Sequence, residues 1–288
     1  VDSGLADPEF VRLGEALQGR DGAARMRRAA ATMACAVPAL RDRLPVLAEL
    51  PELRVSCSPT ALGERMEAAY GARRHGVPSR LAVSVLTLPV AGEDYLAGPA
   101  RQAVRVGAAR AAAAGVTCRR MGRVEAEVRI GGVLRSRGEE GLVESVRADL
   151  QSGLVQAWLA RDAADVTEVV ALTSIDGAFA RLDLLLAAPG RETGASRFLL
   201  AAHLVAELAA RGVRHLGADT ALFLDPATRD FQRLLGFEPV TLDLVRGPQP
   251  DDGCPVPRTS PASGPVPTIS AEPRRPAETA EPAVAPVG

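Results

Sequence analysis

The residues whose types and spacing carry most chemistry run Leu184-Leu185-Leu186-Ala187-Ala188-Pro189-Gly190-Arg191-Glu192-Thr193-Gly194-Ala195-Ser196, an apolar stretch that passes through a glycine-bearing loop into helical text. The first N–H groups of a helix have no acceptor inside it, and its aligned peptide dipoles leave positive potential there. A helix opening near Gly194 is therefore an anion site built from backbone, and phosphate is its natural guest. Gly190 and Gly194 permit close approach, Arg191 can add a charge-assisted bond, and Ser196 is small enough to leave the entrance clear.

These residues need a strand before the loop and a helix after it, and the surrounding pattern supplies both. Apolar, β-branched runs at Leu154–Ala160, Val166–Ser174 and Ala178–Ala187 are separated by Arg161-Asp162 and Asp176-Gly177, which is hairpin chemistry, so they read as an antiparallel meander. A helix over Ala195–Arg211 ends at Gly212, a strand follows at Val213–Gly217, Asp225 caps a helix over Pro226–Leu235, and Glu238–Val245 is a last strand. Upstream, helical text from Glu93 to Ala114 is broken at Gly98-Pro99 and stopped by Gly115. A strand at Val116–Met121, a Gly-rich connection and a helix over Glu139–Leu150 precede the meander.

Before residue 89 the sequence predicts helices over Pro8–Ala31 and Leu40–Leu50, a strand at Leu53–Cys57, a helix capped by Ser58 or Thr60 that runs to Ala72, and a buried strand within Arg80–Leu88. The expectation is an α/β protein with a mixed sheet flanked by helices. Residues 1–88 form a smaller N-terminal α/β unit, residues 89–246 the main domain and residues 247–288 a disordered tail. The tail is rich in Pro, Ser, Thr, Glu and Ala and has no aromatic residue to anchor it.

Of the 288 residues, 47% are hydrophobic, enough for a sizeable core, and 34 basic residues against 35 acidic ones leave no global field to favour nucleic acid or an anionic membrane. All the basic residues are Arg, so an isolated Arg carries little weight. The cysteines (35, 57, 118 and 254) lie far apart, and His75, His203 and His215 form no helix-spaced pair, which argues against a metal site. The absence of a leader-like or membrane-spanning segment predicts a cytoplasmic protein.

Arg191-Glu192-Thr193-Gly194-Ala195-Ser196 resembles the Arg/Gln-x-x-Gly-x-Gly/Ala loop of the GNAT (acyl-CoA N-acyltransferase) superfamily, with Ser196 where Gly or Ala is usual. Asp225-Pro226-Ala227-Thr228-Arg229-Asp230-Phe231-Gln232-Arg233-Leu234-Leu235-Gly236-Phe237 resembles its second signature, commonly Asn-x-x-Ala-x-x-Phe-Tyr-x-x-x-Gly-Phe. The resemblance covers the latter half of the folded chain. It implies an enzyme of the EC 2.3.1 type that moves an acetyl or other acyl group from acetyl-CoA or another acyl-CoA to a small-molecule or peptide amine. Coenzyme contacts would come from Leu184, Leu185 and Leu186 through pantetheine and from Arg191, Glu192, Thr193, Gly194, Ala195 and Ser196 through phosphate. Asp183 and Asp219 are the candidate bases.

Gln232 stands where many members carry a Tyr that protonates the departing thiolate, and glutamine is no acid at neutral pH. That departure keeps open a catalytically inactive binding or regulatory module. The stretch from Tyr95 to Gly115 also resembles the opening helix of the second half of two-domain Fem-type acyltransferases. A Fem-like member with a reduced first half would use charged tRNA as aminoacyl donor, the one setting in which a nucleic-acid partner is expected. Against these readings, His203 sits on a polar helix stripe and reads as solvated, while Trp158, Phe231 and Phe237 read as core. The Arg101, Arg105, Arg110, Arg119, Arg120 and Arg123 cluster reads as surface.

Overall fold

The computed structural model describes residues 47, 49–71, 73–74, 77–78, 80–90, 94–190 and 194–247. The helix expected over Pro8–Ala31, most of that over Leu40–Leu50, the residues Arg191, Glu192 and Thr193, and the Pro-rich stretch beyond Gly247 lie outside the described residues.

The elements follow in the order β1 (Glu52–Cys57), α1 (Ala61–Gly71), β2 (Arg73–Arg74), β3 (Val77–Pro78), β4 (Val83–Thr87), α2 (Gln102–Ala113), β5 (Thr117–Met121), α3 (Arg123–Ser136), α4 (Val143–Ser152) and β6 (Gln156–Arg161). They continue with β7 (Thr167–Asp176), β8 (Phe179–Ala187), α5 (Gly194–Ala210), β9 (His215–Thr220), α6 (Pro226–Leu235) and β10 (Glu238–Arg246). Eight strands form one mixed sheet in the order β1-β10-β4-β9-β8-β7-β6-β5, while β2 and β3 pair separately. β1 runs parallel to β10, and β4 lies antiparallel between β10 and β9. The segment before residue 89 thus shares its sheet with the rest of the fold. From β5 to β8 the pairing is antiparallel, and the β6–β7 and β7–β8 pairs are those the hairpin turns predict.

Helices cover both faces. On one, α2, α5 and α6 pack on Trp158, Ala171, Ala180 and Leu216. On the other, α3 and α4 pack on Leu159, Val170 and Leu172, and α1 packs on Val83, Val85 and Phe179. Val169, Val170, Ala171 and Leu172 on β7 are all buried, which is why the strand reads as an unbroken apolar run. Each of its larger side chains contributes roughly 1.5–3 kcal/mol by leaving water.

Two segments differ from the sequence-based expectation. Residues 123–136 form a helix where the sequence reads as a Gly-rich connection. Ala126, Ile130, Val133 and Leu134 lie on one buried stripe at helical spacing, and their packing outweighs the roughly 1 kcal/mol that each of Gly131 and Gly132 costs a helix. The short helical piece expected before Gly98 is instead a turn, in which Ala97 N–H bonds Asp94 O and Leu96 N–H bonds the Asp94 side chain. Asp225 caps α6 as expected, its side chain accepting from Thr228 N–H.

Trp158 is core, with its Nε1 donating to Thr173 Oγ1 at 2.9 Å. His203, expected in solvent, is half-buried edge-on to it, with ring centroids 6.1 Å apart at 75°. Burial lowers the imidazole pKa, an effect Glu207 partly opposes. Because the folded value lies below the unfolded one, His203 favours the folded state at pH above 6.5, and that contribution is lost as pH falls from there towards the folded value. Trp158 is the single tryptophan. Its emission is therefore expected to drop on acidification with a midpoint below 6.5, and His203→Asn is expected to remove the step.

Candidate functional site

β8 and β9 are parallel neighbours over only three residue pairs, Phe179 with His215, Ala180 with Leu216 and Arg181 with Gly217. Past that point β8 follows β7 to Ala187 and β9 follows β4 to Thr220, so the two strands part. The cause is local. Leu172 on β7 pairs with Leu184 but Thr173 pairs with Leu182, which leaves Asp183 as an extra residue in a β-bulge. A bulge bends its strand and increases local twist, and here it falls where the separation begins. From Leu182 to Ala187 the edge of β8 away from β7 has no strand partner among the described residues. Leu184, Leu185 and Leu186 lie on that edge, held on their other side by Leu172, Ala171 and Val170.

The strand leaves the sheet through Ala188, Pro189 and Gly190, and α5 begins at Gly194. Gly190 has φ +75°, a conformation that favours glycine. Gly194, Ala195 and Ser196 open the helix, so their N–H groups have no acceptor within it. A methyl group placed on Gly194 would meet nothing within 4 Å among the described residues. The Ser196 hydroxyl is turned inward, donating to the Glu168 carboxylate on β7, which leaves only its backbone for a ligand at the helix mouth.

The two sides of the parted strands differ in chemistry. Towards α5 they meet an apolar pocket whose walls include Leu182, Leu185, Leu200, Leu204, Leu216 and Phe237. Tyr95 also lines it, but its hydroxyl donates to Leu235 O at 2.7 Å. Towards α1 lies a charged cluster. Both oxygens of Asp183, whose side chain is 7% exposed, are occupied: Oδ1 accepts from Arg181 Nη1 at 2.6 Å and Arg65 Nη2 at 3.3 Å, and Oδ2 from Ser174 Oγ at 2.6 Å. Asp219, on β9, is 54% exposed, with Oδ1 3.9 Å from Arg181 Nη2. The structure thus brings both sequence-selected carboxylates to the parting of β8 and β9, one enclosed by cations and one at the surface.

Arg65, Ser174, Arg181 and Tyr70 belong to this site, and no sequence motif marks them. The Tyr70 hydroxyl donates to Ala218 O at 3.3 Å, one residue beyond the last β8–β9 pair, and the Arg181 guanidinium stacks over its ring. Burial pushes the Tyr70 phenol well above its usual range, so it stays neutral. Gly217 makes this packing possible, since a Cβ there would lie 2.6 Å from Phe179 Cζ and 2.7 Å from Tyr70 Oη. Both rings are buried and have nowhere to move. Gly217→Ala is therefore expected to destabilise the fold by about 1–3 kcal/mol in denaturant titration.

On α6, Phe231 packs against Phe198 with centroids 5.2 Å apart, and Phe237 is buried. Gln232 buries its Oε1, which receives no hydrogen bond among the described residues.

Solved structures match parts of the chain, each at low identity and with a TM-score below 0.5. The C-terminal domain of a protein assigned as a lysylphosphatidylglycerol synthetase from Agrobacterium fabrum is 14% identical, over 56% of this chain and 58% of that one, with a TM-score of 0.43. FemX is 9% identical over 55% and 59%, with a TM-score of 0.44. A tandem GNAT protein from the clavulanic acid biosynthesis pathway is 16% identical over 77% and 68%, with a TM-score of 0.40. The chain spans less than two thirds of the first two. Likeness at this level concerns the path of the backbone alone and assigns no chemistry. No family model and no curated protein matches the chain.

Proposed function

We propose that this protein transfers an acyl group from acyl-CoA to an amine, with the coenzyme lying between β8 and β9. The observation that carries this reading is the conjunction, among the described residues, of a bulged strand with an unpartnered edge and, a short loop later, a helix start where a Cβ on Gly194 meets nothing. Pantetheine carries amides spaced along a narrow arm, which is the chemistry an open strand edge accepts. The diphosphate suits the free N–H groups of Gly194, Ala195 and Ser196. Arg191, Glu192 and Thr193 complete the phosphate loop in this reading.

The amine must lose a proton to attack the thioester carbonyl, after which the tetrahedral adduct collapses and thiolate leaves. Asp219 is the better placed of the two carboxylates to take that proton, because it is 54% exposed and within reach of an incoming amine, whereas Asp183 is enclosed. Gln232 can donate a hydrogen bond to sulfur but no proton, so thiolate departs unprotonated or takes its proton from water. A second reading, a domain that binds coenzyme without turnover, is favoured by that glutamine. The same residue types give no reason to prefer a tRNA-borne donor, whose phosphates would call for a basic face.

Thermal unfolding in the presence of acetyl-CoA tests the reading. At about 100 times its dissociation constant a ligand of the folded state adds roughly 2.7 kcal/mol, so the transition is expected to move up by several degrees. No movement at millimolar acetyl-CoA contradicts it. Turnover across a panel of amines then separates transferase from binding module.

A further inference from the structure

Arg65 joins three elements that are remote in sequence. It stands on α1, and its Nη1 and Nη2 grip the two oxygens of Asp149 on α4 at 2.5 and 2.9 Å. Nη2 also reaches Asp183 Oδ1 at 3.3 Å, and Nε donates to Ser174 Oγ at 3.0 Å. Ser174 passes the contact on by donating to Asp183 Oδ2, and Arg181 closes the ring by donating to Oδ1. Asp183 is the residue that β8 inserts at its bulge. The guanidinium therefore ties the bulge to the neighbouring strand β7 and to α1 and α4, which cover the same face of the sheet.

We infer that Arg65 is a positioning residue that holds the β8 bulge, keeps β8 and β9 parted, and so preserves the strand edge offered to a ligand. The physical reason lies in what the bulge would otherwise do. An extra residue in a ladder costs paired backbone groups, and Asp183, held then by Ser174 and Arg181 alone and cut off from α1 and α4, is more easily expelled by a shift of β8 against β7. Such a slip of one residue would carry Leu184, Leu185 and Leu186 to the opposite faces, moving Leu185 out of the apolar pocket. Fixing Asp183 from three directions forbids it. Only a planar fork with its donors at set angles can serve Ser174, Asp149 and Asp183 together, so a lysine is not equivalent. The consequence for ligand binding rests on the reading of the slot as a coenzyme site, but the effect on the strand does not.

The test uses the full chain with Arg65→Met, Arg65→Lys and, as comparator, Val55→Ala, which opens a cavity on β1 at the far edge of the sheet. Backbone hydrogen exchange is followed in segments covering β8, β6 and α5, and coenzyme A affinity is measured by calorimetry. With variants compared at equal unfolding free energy, Arg65→Met is expected to speed exchange over Leu182–Leu186 by on the order of tenfold or more relative to Val55→Ala, leaving β6 matched. Arg65→Lys, the milder change should Arg65→Met fold poorly, is expected to recover less than half of that protection. Coenzyme affinity is expected to fall about tenfold in Arg65→Met and to change less than twofold in Val55→Ala. Equal exchange over β8 in stability-matched variants overturns the clamp, as does full recovery in Arg65→Lys. A wild-type chain that binds no coenzyme A overturns the reading of the slot and leaves the exchange result to decide the clamp by itself.

Discussion

Replacing Gly194 by Asp is expected to weaken coenzyme A binding by about 100-fold while leaving the protein as stable as before or slightly more so. The two effects have opposite signs because they come from the same field. The first N–H groups of a helix lack acceptors within it and its dipole makes its start positive, so a carboxylate at the start of α5 interacts favourably with the helix by about 0.3–1 kcal/mol. Gly194 has no positive φ that would penalise a side chain, and a Cβ at that position meets nothing within 4 Å among the described residues. A bound diphosphate would meet that same carboxylate at close range, and like charges near 5 Å at an effective dielectric of about 20 repel by roughly 3 kcal/mol. Calorimetric titration and thermal unfolding of the same preparation check both halves. Unchanged affinity would mean that phosphate is held elsewhere, and a large fall in stability would mean that the space is not open.

Asp183→Ala is expected to lower the unfolding free energy by about 3 kcal/mol, the second large effect. The carboxylate is almost fully enclosed and is shared by Arg181, Arg65 and Ser174, so its removal leaves two guanidinium groups short of a partner in a poorly hydrated place. Arg65 retains Asp149, which limits the loss. A catalytic base that served no structural purpose would behave differently, since its removal would cost turnover and little stability. Denaturant titration of Asp183→Ala beside Asp219→Ala distinguishes the roles. Asp219, at 54% exposure, is expected to cost less than about 1 kcal/mol.

What could be read from the chain beforehand was whatever its neighbours determine. The β6–β7–β8 meander follows from alternating apolar runs and hairpin residues, and the passage from β8 to α5 from the loop at Pro189 and Gly190. The start of α6 follows from Asp225 and Pro226. All of these signals act within a few residues. The helix over Arg123–Ser136 is hidden in the sequence because Gly131 and Gly132 interrupt the propensity, although Ala126, Ile130 and Leu134 keep the period. In the same way, His203 looked solvated from its helix stripe because nothing local announces that Trp158 on β6 will lie beside it.

The candidate site divides along the same line. Leu184–Leu186 and the opening of α5 were visible because the apolar run, the loop and the helix are contiguous. Arg65 was not, since it is brought to Asp183 only by placing β1 beside β10 and β4 beside β9, pairings that close over more than a hundred residues and leave no local mark. Nor was the bulge, which depends on how β7 and β8 register with each other. In the sequence Asp183 is an acid–base candidate simply as a carboxylate on the strand. Its position proves the more telling property, because it is the residue at which the strand bends away.

The most direct measurement is a crystal structure of the protein with coenzyme A bound. The account predicts the pantetheine arm lying along the unpartnered edge of Leu184–Leu186, the diphosphate against the backbone of Gly194, Ala195 and Ser196, and the sulfur where β8 leaves β9 near Asp183. Coenzyme bound at any other surface, or β8 and β9 found zipped together past Arg181 and Gly217, would contradict it.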